Sequence, residues 1–257
     1  MNEHTRRTAV IVGASSGIGE ALARQLGREG WRLGLMARRL DRLEAIARDL
    51  APGTVFRRAD VADASAAAAT LEQLIGELDG ADLVIISAGT GHLNGALAWE
   101  SDRETVAVNV LGFTALAQVA MREFLRKGHG HLVGISSIAA LRGSGEAAAY
   151  AASKAYQSTY LDGLREIARA RGVPIAVTDV QPGFVETAMM KPGRPLPFII
   201  RRFFVASAET AARQILRAVR RRSKHVYIIR RWAIIAFLLR RMPRPGCDCP
   251  TAHRPKG

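Results

Sequence analysis

The tightest constraint on the fold lies near the amino end, where Thr8-Ala9-Val10-Ile11-Val12 runs straight into Gly13-Ala14-Ser15-Ser16-Gly17-Ile18-Gly19. An unbroken apolar run rich in β-branched residues reads as a buried strand. The glycines that follow make a turn, and the turn opens a helix. Gly13 permits the tight turn, Gly17 lets the backbone approach phosphate groups, and Gly19 allows the helix to pack closely, with its first-turn amides and dipole facing those phosphates. Ser15, Ser16 and Ile18 complete the loop as candidate binding positions. The spacing is Gly-x-x-x-Gly-x-Gly rather than the commoner Gly-x-Gly-x-x-Gly.

Beyond this unit the chain alternates. Helices are expected over 18–28, 41–50, 65–78, about 101–127, through Tyr150 to about 169, and over 208–221. Strands are expected over 32–36, 55–58, 83–86, 131–135, 175–180 and 225–229. Such alternation predicts an α/β fold, a Rossmann-type doubly wound parallel sheet with helices on both faces. At 257 residues and 48% hydrophobic, the chain suits one domain, over 1–229, followed by a basic C-terminal helix and tail. Ligands of such sheets gather at the carboxyl ends of the strands. The glycine loop, Asp60, Ser87-Ala88-Gly89, Ser137 and Pro182 all fall there.

A second constellation names a chemistry. Tyr150-Ala-Ala-Ser-Lys154 places a tyrosine and a lysine four apart, and Ser137 lies thirteen positions upstream at the end of an apolar strand. Residues four apart share a helix face, so the Lys154 ammonium is expected beside the Tyr150 phenol, biasing it toward phenolate. An unperturbed tyrosine, with a pKa of about 10, is a poor acid near neutrality. Bringing it toward the working pH takes roughly 3–4 kcal/mol of differential stabilisation.

Together the glycine loop and the Tyr-x-x-x-Lys pair make the chain resemble the short-chain dehydrogenase/reductase family over about 8–229. Further matches are Asp60-Val61, Ser87-Ala88-Gly89, Asn109 in Asn109-Val110-Leu111-Gly112, Ser136-Ser137, and Pro182-Gly183-Phe184-Val185-Glu186-Thr187. One departure is Ser87, where the family usually carries asparagine; a serine still makes a local hydrogen bond at a strand end. The resemblance implies hydride transfer between a nicotinamide and a carbonyl or alcohol. Tyr150 would exchange the proton, and Ser137 would hold the oxygen. Lys154 would bind the nicotinamide ribose and tune Tyr150, while Asn109 would anchor a water that relays protons to Lys154. Gly183, Val185 and Thr187, with Pro182, would line the nicotinamide and pyrophosphate side. Asp60 is the candidate acceptor for the adenine amino group, with Val61 packed nearby. By the same resemblance, the helices 101–127 and 150–169 pair subunits in a homodimer or homotetramer. Val106, Val110, Phe113, Ala117, Met121 and Leu125 form a stripe on the first of them that reads as core.

Cofactor choice is read from the end of the second strand. An acidic residue there would select the free ribose, but the chain has Ala37-Arg38-Arg39. An arginine at that place pairs with a 2′-phosphate, which favours NADP(H) over NAD(H). Asp41, the first acid beyond, is expected to cap the next helix.

The charge is localised. Residues 191–257 hold seventeen Lys and Arg against two acids, a net of +15, whereas the first 190 residues net −1. Within that quarter, Arg230-Arg231-Trp232-Ala233-Ile234-Ile235-Ala236-Phe237-Leu238-Leu239-Arg240-Arg241 sets eight apolar residues between arginine pairs. As a helix they rise about 12 Å, far short of the roughly 30 Å that spans a bilayer. Two readings stay open: a final helix packed on the domain, and a helix lying on an anionic membrane surface over 230–241. Nucleic acid ranks lower, because the basic patch lacks interleaved aromatics on a nucleic-acid fold. The Pro- and Gly-punctuated, apolar stretch 187–206 reads as a substrate lid suited to a hydrophobic or lipid-like substrate. From 243 the tail is expected to be disordered. Its Cys247 and Cys249 are too few for a zinc site, so no metal is expected. His92 is expected in solvent. With no apolar signal region ahead of residue 8, a cytoplasmic place is the default, peripheral at a membrane if the basic helix binds one. The leading reading is an NADPH-dependent oxidoreductase acting on a carbonyl or alcohol. The alternatives are a non-catalytic NADP-binding sensor and a membrane-surface adaptor working through its basic C-terminal segment.

Overall fold

A computed structural model describes residues 6–186 and 205–241. The strands β1 (Thr8–Val12), β2 (Arg32–Ala37), β3 (Val55–Arg58), β4 (Leu83–Ile86), β5 (Gly130–Ile135) and β6 (Ile175–Pro182) are followed by two short strands, β7 (Phe184–Glu186) and β8 (Val205–Ser207), and by β9 (His225–Ile228). Seven of them form one sheet in the order β3-β2-β1-β4-β5-β6-β9, and every neighbouring pair is parallel. β7 and β8 pair in parallel outside it. The chain builds β1 to β3 outward in one direction and resumes at β4 in the other. The sheet's switch point therefore lies between β1 and β4, where such sheets bind ligands.

Burial on both faces explains why the strands carry apolar runs and not alternation. On β1, Val10 and Val12 enter one core with Val84, Ile86, Phe113, Leu116 and Phe124, while Ala9 and Ile11 enter the other with Leu22, Leu26, Leu35 and Ile215. The first layer is built by α3 (Ala64–Glu77), α5 (Phe113–Lys127) and α6 (Ala148–Ala170); the second by α1 (Gly17–Arg28), α2 (Leu40–Arg48) and α7 (Ala208–Arg220). A final helix, α8 (Arg230–Arg241), follows β9. The doubly wound α/β sheet is thus the observed fold.

Four local expectations change. The helix expected from about 101 begins as α4 (Trp99–Val106) and passes through a π-helical stretch, Ala107–Gly112, before α5. A π turn holds more residues than an α turn and displaces what precedes it from the 3.6-residue register. Val106, placed in the core stripe by its spacing, is accordingly exposed, while Phe113, Ala117 and Met121 are buried. The Trp99–Lys127 run is long and apolar enough to cross a membrane, but its apolar side packs on the sheet. The strand expected to end at 180 continues to Pro182. Finally, Asp41 does not cap α2. The cap position is Arg39, without a side-chain cap bond, and Asp41 lies in the first turn, where its charge meets the helix dipole.

Candidate active site

The site assembles at the carboxyl ends of the strands. β1 runs into Gly13, whose φ of +86° opens the turn; a Cβ there would stand 2.6 Å from the Ala88 amide nitrogen. The loops after β1 and β4 therefore touch because Gly13 has no side chain. A Cβ on Gly19 would lie 2.2 Å from the Gly13 carbonyl oxygen, which is the close packing expected of it. Ser16 is the N-cap of α1 but makes no side-chain cap bond, so the first-turn amides have no side-chain partner from it. Ser15 is buried. Arg39 folds over this loop, donating to Ser16 Oγ at 2.7 Å and to Ser15 Oγ at 3.1 Å. Arg38 stays exposed, 3.9 Å from Glu104. At the end of β3, Asp60 Oδ1 accepts from the Ala62 amide at 3.0 Å, and Val61 is buried.

Three consecutive residues after Ser87-Ala88 meet the candidate residues. The Cβ position of Gly89 is 3.2 Å from Lys154 Nζ. The Thr90 amide donates to Asn109 Oδ1 at 3.0 Å, and the Thr90 carbonyl accepts from Asn109 Nδ2 at 2.7 Å. A Cβ on Gly91 would stand 2.4 Å from Cδ2 of the Tyr150 ring. Loop 89–91 is thus the wall on which the helix-borne groups converge. Its last two contacts had no signal in the motif spacing.

Lys154 and Tyr150 lie on α6, and Lys154 is buried with its Nζ 5.8 Å from the centroid of the Tyr150 ring. Its hydrogen bonds go to the Ile135 carbonyl and to Gln157 Oε1, both at 2.9 Å. Burial pushes the ammonium down to about 8, and the Asp179 carboxylate works in the opposite direction. The expected bias of Tyr150 toward phenolate by Lys154 does not emerge. Burial raises the phenol above its ordinary value, and the opposing influence is a hydrogen bond with Ser137. Ser137 itself caps the 3-10 turn Ile138–Leu141, accepting from the Ala139 amide at 3.1 Å.

Asn109 is fully buried in the π stretch, where it also donates to Ser153 Oγ at 3.0 Å. Its backbone carbonyl accepts from Gln157 Nε2 at 2.9 Å. Gln157, buried and outside every motif, therefore joins Asn109 to Lys154 directly. The available signal was its place one helical turn after Lys154, on the same face. Behind the site, buried Asp179 accepts from Ser136, from Ser158 at 2.6 Å and from Gln181 at 2.7 Å, and faces His225. Burial alone would raise this carboxyl; the hydrogen bonds from His225, Ser136, Ser158 and Gln181 together hold it below its ordinary range.

At the far wall, Val185 is buried in β7, and Gly183 lies directly under Trp232 of α8. A Cβ there would stand 2.0 Å from Trp232 Nε1. Phe184 meets the same indole edge-on, with centroids 5.6 Å apart. Trp232, assigned by sequence to a terminal extension, thus borders the Pro182-Gly183 motif. His92, expected in solvent, is bonded to Glu104 at 2.9 Å, because α4 presents that carboxylate between the His92 loop and Arg38. Thr187 and residues 188–204 of the expected lid lie outside the described residues, as do Cys247 and Cys249.

Comparison with known proteins agrees with this fold. The profile of the family described as short chain dehydrogenase matches residues 7–195. An uncharacterised oxidoreductase of Myxococcus xanthus is 38% identical over 206 residues, covering 78% of this chain and 81% of that protein. An oxidoreductase of Mycobacterium tuberculosis is 35% identical over 194 residues, 72% of this chain and 76% of that one. Among solved structures, an alcohol dehydrogenase from the archaeon Thermococcus sibiricus, complexed with 5-hydroxy-NADP, superposes with a TM-score of 0.75 at 25% identity, covering 94% of this chain and 99% of that chain. With a parallel sheet, a glycine loop at its switch point and this match over most of its length, the chain belongs to the short-chain dehydrogenase family and is an oxidoreductase of that type.

Proposed function

We propose that the protein is an NADPH-dependent carbonyl reductase, or in the reverse direction an alcohol dehydrogenase, acting on an apolar substrate. The observation that carries this reading is the convergence of Ser137, Tyr150, Lys154 and Asn109, from a strand end and two helices, around loop 89–91. A dinucleotide fits the same crevice. The loop of Gly13, Ser15, Ser16, Gly17, Ile18 and Gly19 would seat the pyrophosphate on the α1 amides. Arg39, already poised over Ser16, and Arg38 would take the 2′-phosphate. Asp60 and Val61 would border the adenine, and Ser87, Ala88, Gly89, Pro182, Gly183, Val185 and Thr187 the remainder. The Thermococcus enzyme bound to 5-hydroxy-NADP supports the phosphorylated form.

When bound, NADPH supplies the hydride that adds to the carbonyl carbon. The Tyr150 phenol gives its proton to the carbonyl oxygen, completing the alcohol, and the Ser137 hydroxyl steadies that oxygen while negative charge develops on it. Lys154 would hold the nicotinamide ribose and return a proton to Tyr150, its own proton being replaced from solvent. Gln157 positions Lys154 by accepting from its ammonium while tied to the Asn109 carbonyl. The Phe184–Trp232 pair beside Gly183 supports an apolar substrate. The same family reading makes α5 and α6 a subunit interface. Tyr156 and Tyr160 stack at 5.6 Å on an outer face that also exposes Ile167.

NADPH oxidation by wild type and Tyr150→Phe across ketones graded from short and polar to long-chain tests the proposal, with NADH in parallel. Turnover on the longer ketones that disappears in the variant is the expected result. Tight NADPH binding without turnover on any ketone would overturn it in favour of a cofactor sensor.

A further inference from the structure

We infer that the outer face of α8 is a docking surface for an anionic lipid bilayer, and that docking holds the Pro182-Gly183 side of the candidate site near the membrane. The helix has two apolar faces. One is satisfied within the fold: Ala236 is 1% exposed, Trp232 covers Gly183, and the helix packs on the 3-10 turn that follows Ser137. The other is not. Ile234, Phe237 and Leu238 are 64%, 52% and 53% exposed, and with Arg241 they follow the i, i+3, i+4, i+7 spacing of one helical stripe. A short helix that keeps three large apolar residues in water on the face opposite its packed one is built to lie in an interface.

The orientation of that face is held. The chain enters α8 through Ile229 at φ +64°, a conformation a β-branched residue adopts only under constraint, and the Ile229 amide donates to Gln214 Oε1 at 2.9 Å.

Charge decides what covers the stripe. Arg231 stands exposed near its start, and Arg241 at its end lies 4.1 Å over the Phe237 ring. The quarter of the chain around it carries a net +15. Two copies meeting through this face would oppose those charges, whereas a headgroup layer of negative lipid matches them. At twelve residues the helix is about 18 Å long, too short to span about 30 Å, so it lies in the plane of the surface. Its inner face borders Gly183 and Phe184, so a bilayer on the outer face stands about one helix diameter, roughly 10–12 Å, from them.

The test uses the full chain. Flotation is measured with phosphatidylcholine vesicles and with vesicles containing about 30 mol% phosphatidylglycerol, for wild type and for I234S/F237S/L238S, which leaves the charge unchanged. Wild type is expected to float with the anionic vesicles and to keep part of that binding at about 0.5 M salt, while the variant loses at least about tenfold. F237W tests the same face without removing apolar surface, and its added fluorescence should be quenched by brominated lipid. Equal binding of wild type and triple variant, fully released by salt, would mean charge adhesion alone and would overturn the inference. So would a smaller oligomer in the triple variant, which would assign the face to a second copy. A large fall in its melting temperature would assign the face to the protein's own chain and overturn the inference equally. None of these readings needs turnover, so this proposal and the reductase reading fail separately.

Discussion

The polar cluster around Lys154 and the helix α8 are built on opposite terms. Around Lys154 buried polar side chains bond one another and the backbone: Lys154 with Ile135 and Gln157, Asn109 with Thr90 and Ser153, Asp179 with Ser136, Ser158 and Gln181, although Gln181 Oε1 itself has no partner among the described residues. In α8, apolar residues face water between arginines. The first arrangement makes a buried charge tolerable at one place only, and so fixes geometry for chemistry. The second leaves apolar surface exposed for a partner.

The comparison breaks most visibly at Tyr150. Tyr150→Phe should lower kcat about 10²–10⁴-fold while NADPH affinity and vesicle flotation stay at wild-type levels, as read by stopped-flow absorbance and fluorescence titration. A parallel loss of flotation would mean that the two regions are not separable. At the nucleotide end, Arg39→Ala should raise the KM for NADPH about 10- to 100-fold, the worth of a charge-assisted contact, and leave the KM for NADH little changed. The junction itself is tested by Gly183→Val, whose added atoms displace Trp232. A stability loss of about 1–3 kcal/mol by urea unfolding is expected, with altered near-ultraviolet circular dichroism.

The smallest effect concerns pH. Lys154 has its pKa lowered to about 8, so its charged fraction falls as pH rises through that value, and kcat/KM should bend downward above it. Gln157→Leu removes an acceptor that favours the ammonium, so the bend should move to lower pH. Gln157→Glu, adding negative charge, should move it higher. A purely structural role for Gln157 would lower activity without moving the bend.

Much of the site was legible because its residues sit at spacings set by local geometry. Gly13, Gly17 and Gly19 form one turn, and Tyr150 and Lys154 occupy one helix face. Contacts between distant segments left less trace. Nothing in the spacing shows that Gly91 underlies the Tyr150 ring, that Gln157 bridges Asn109 and Lys154, or that His92 shares Glu104 with Arg38. The stripe beginning at Val106 misled because the π stretch around Asn109 changes the helical period, and a fixed 3.6-residue rule cannot register that.

By itself the sequence determined the alternation of strands and helices, the carboxyl-end placement of the motifs and the concentration of positive charge in the last quarter. These follow from backbone periodicity, glycine stereochemistry and composition, which are local. Only the tertiary structure decided that Lys154 bonds to Gln157 and Ile135, and that Trp232 closes over Gly183. Those outcomes depend on burial and on which distant groups arrive within bonding distance, and both are properties of the packed chain.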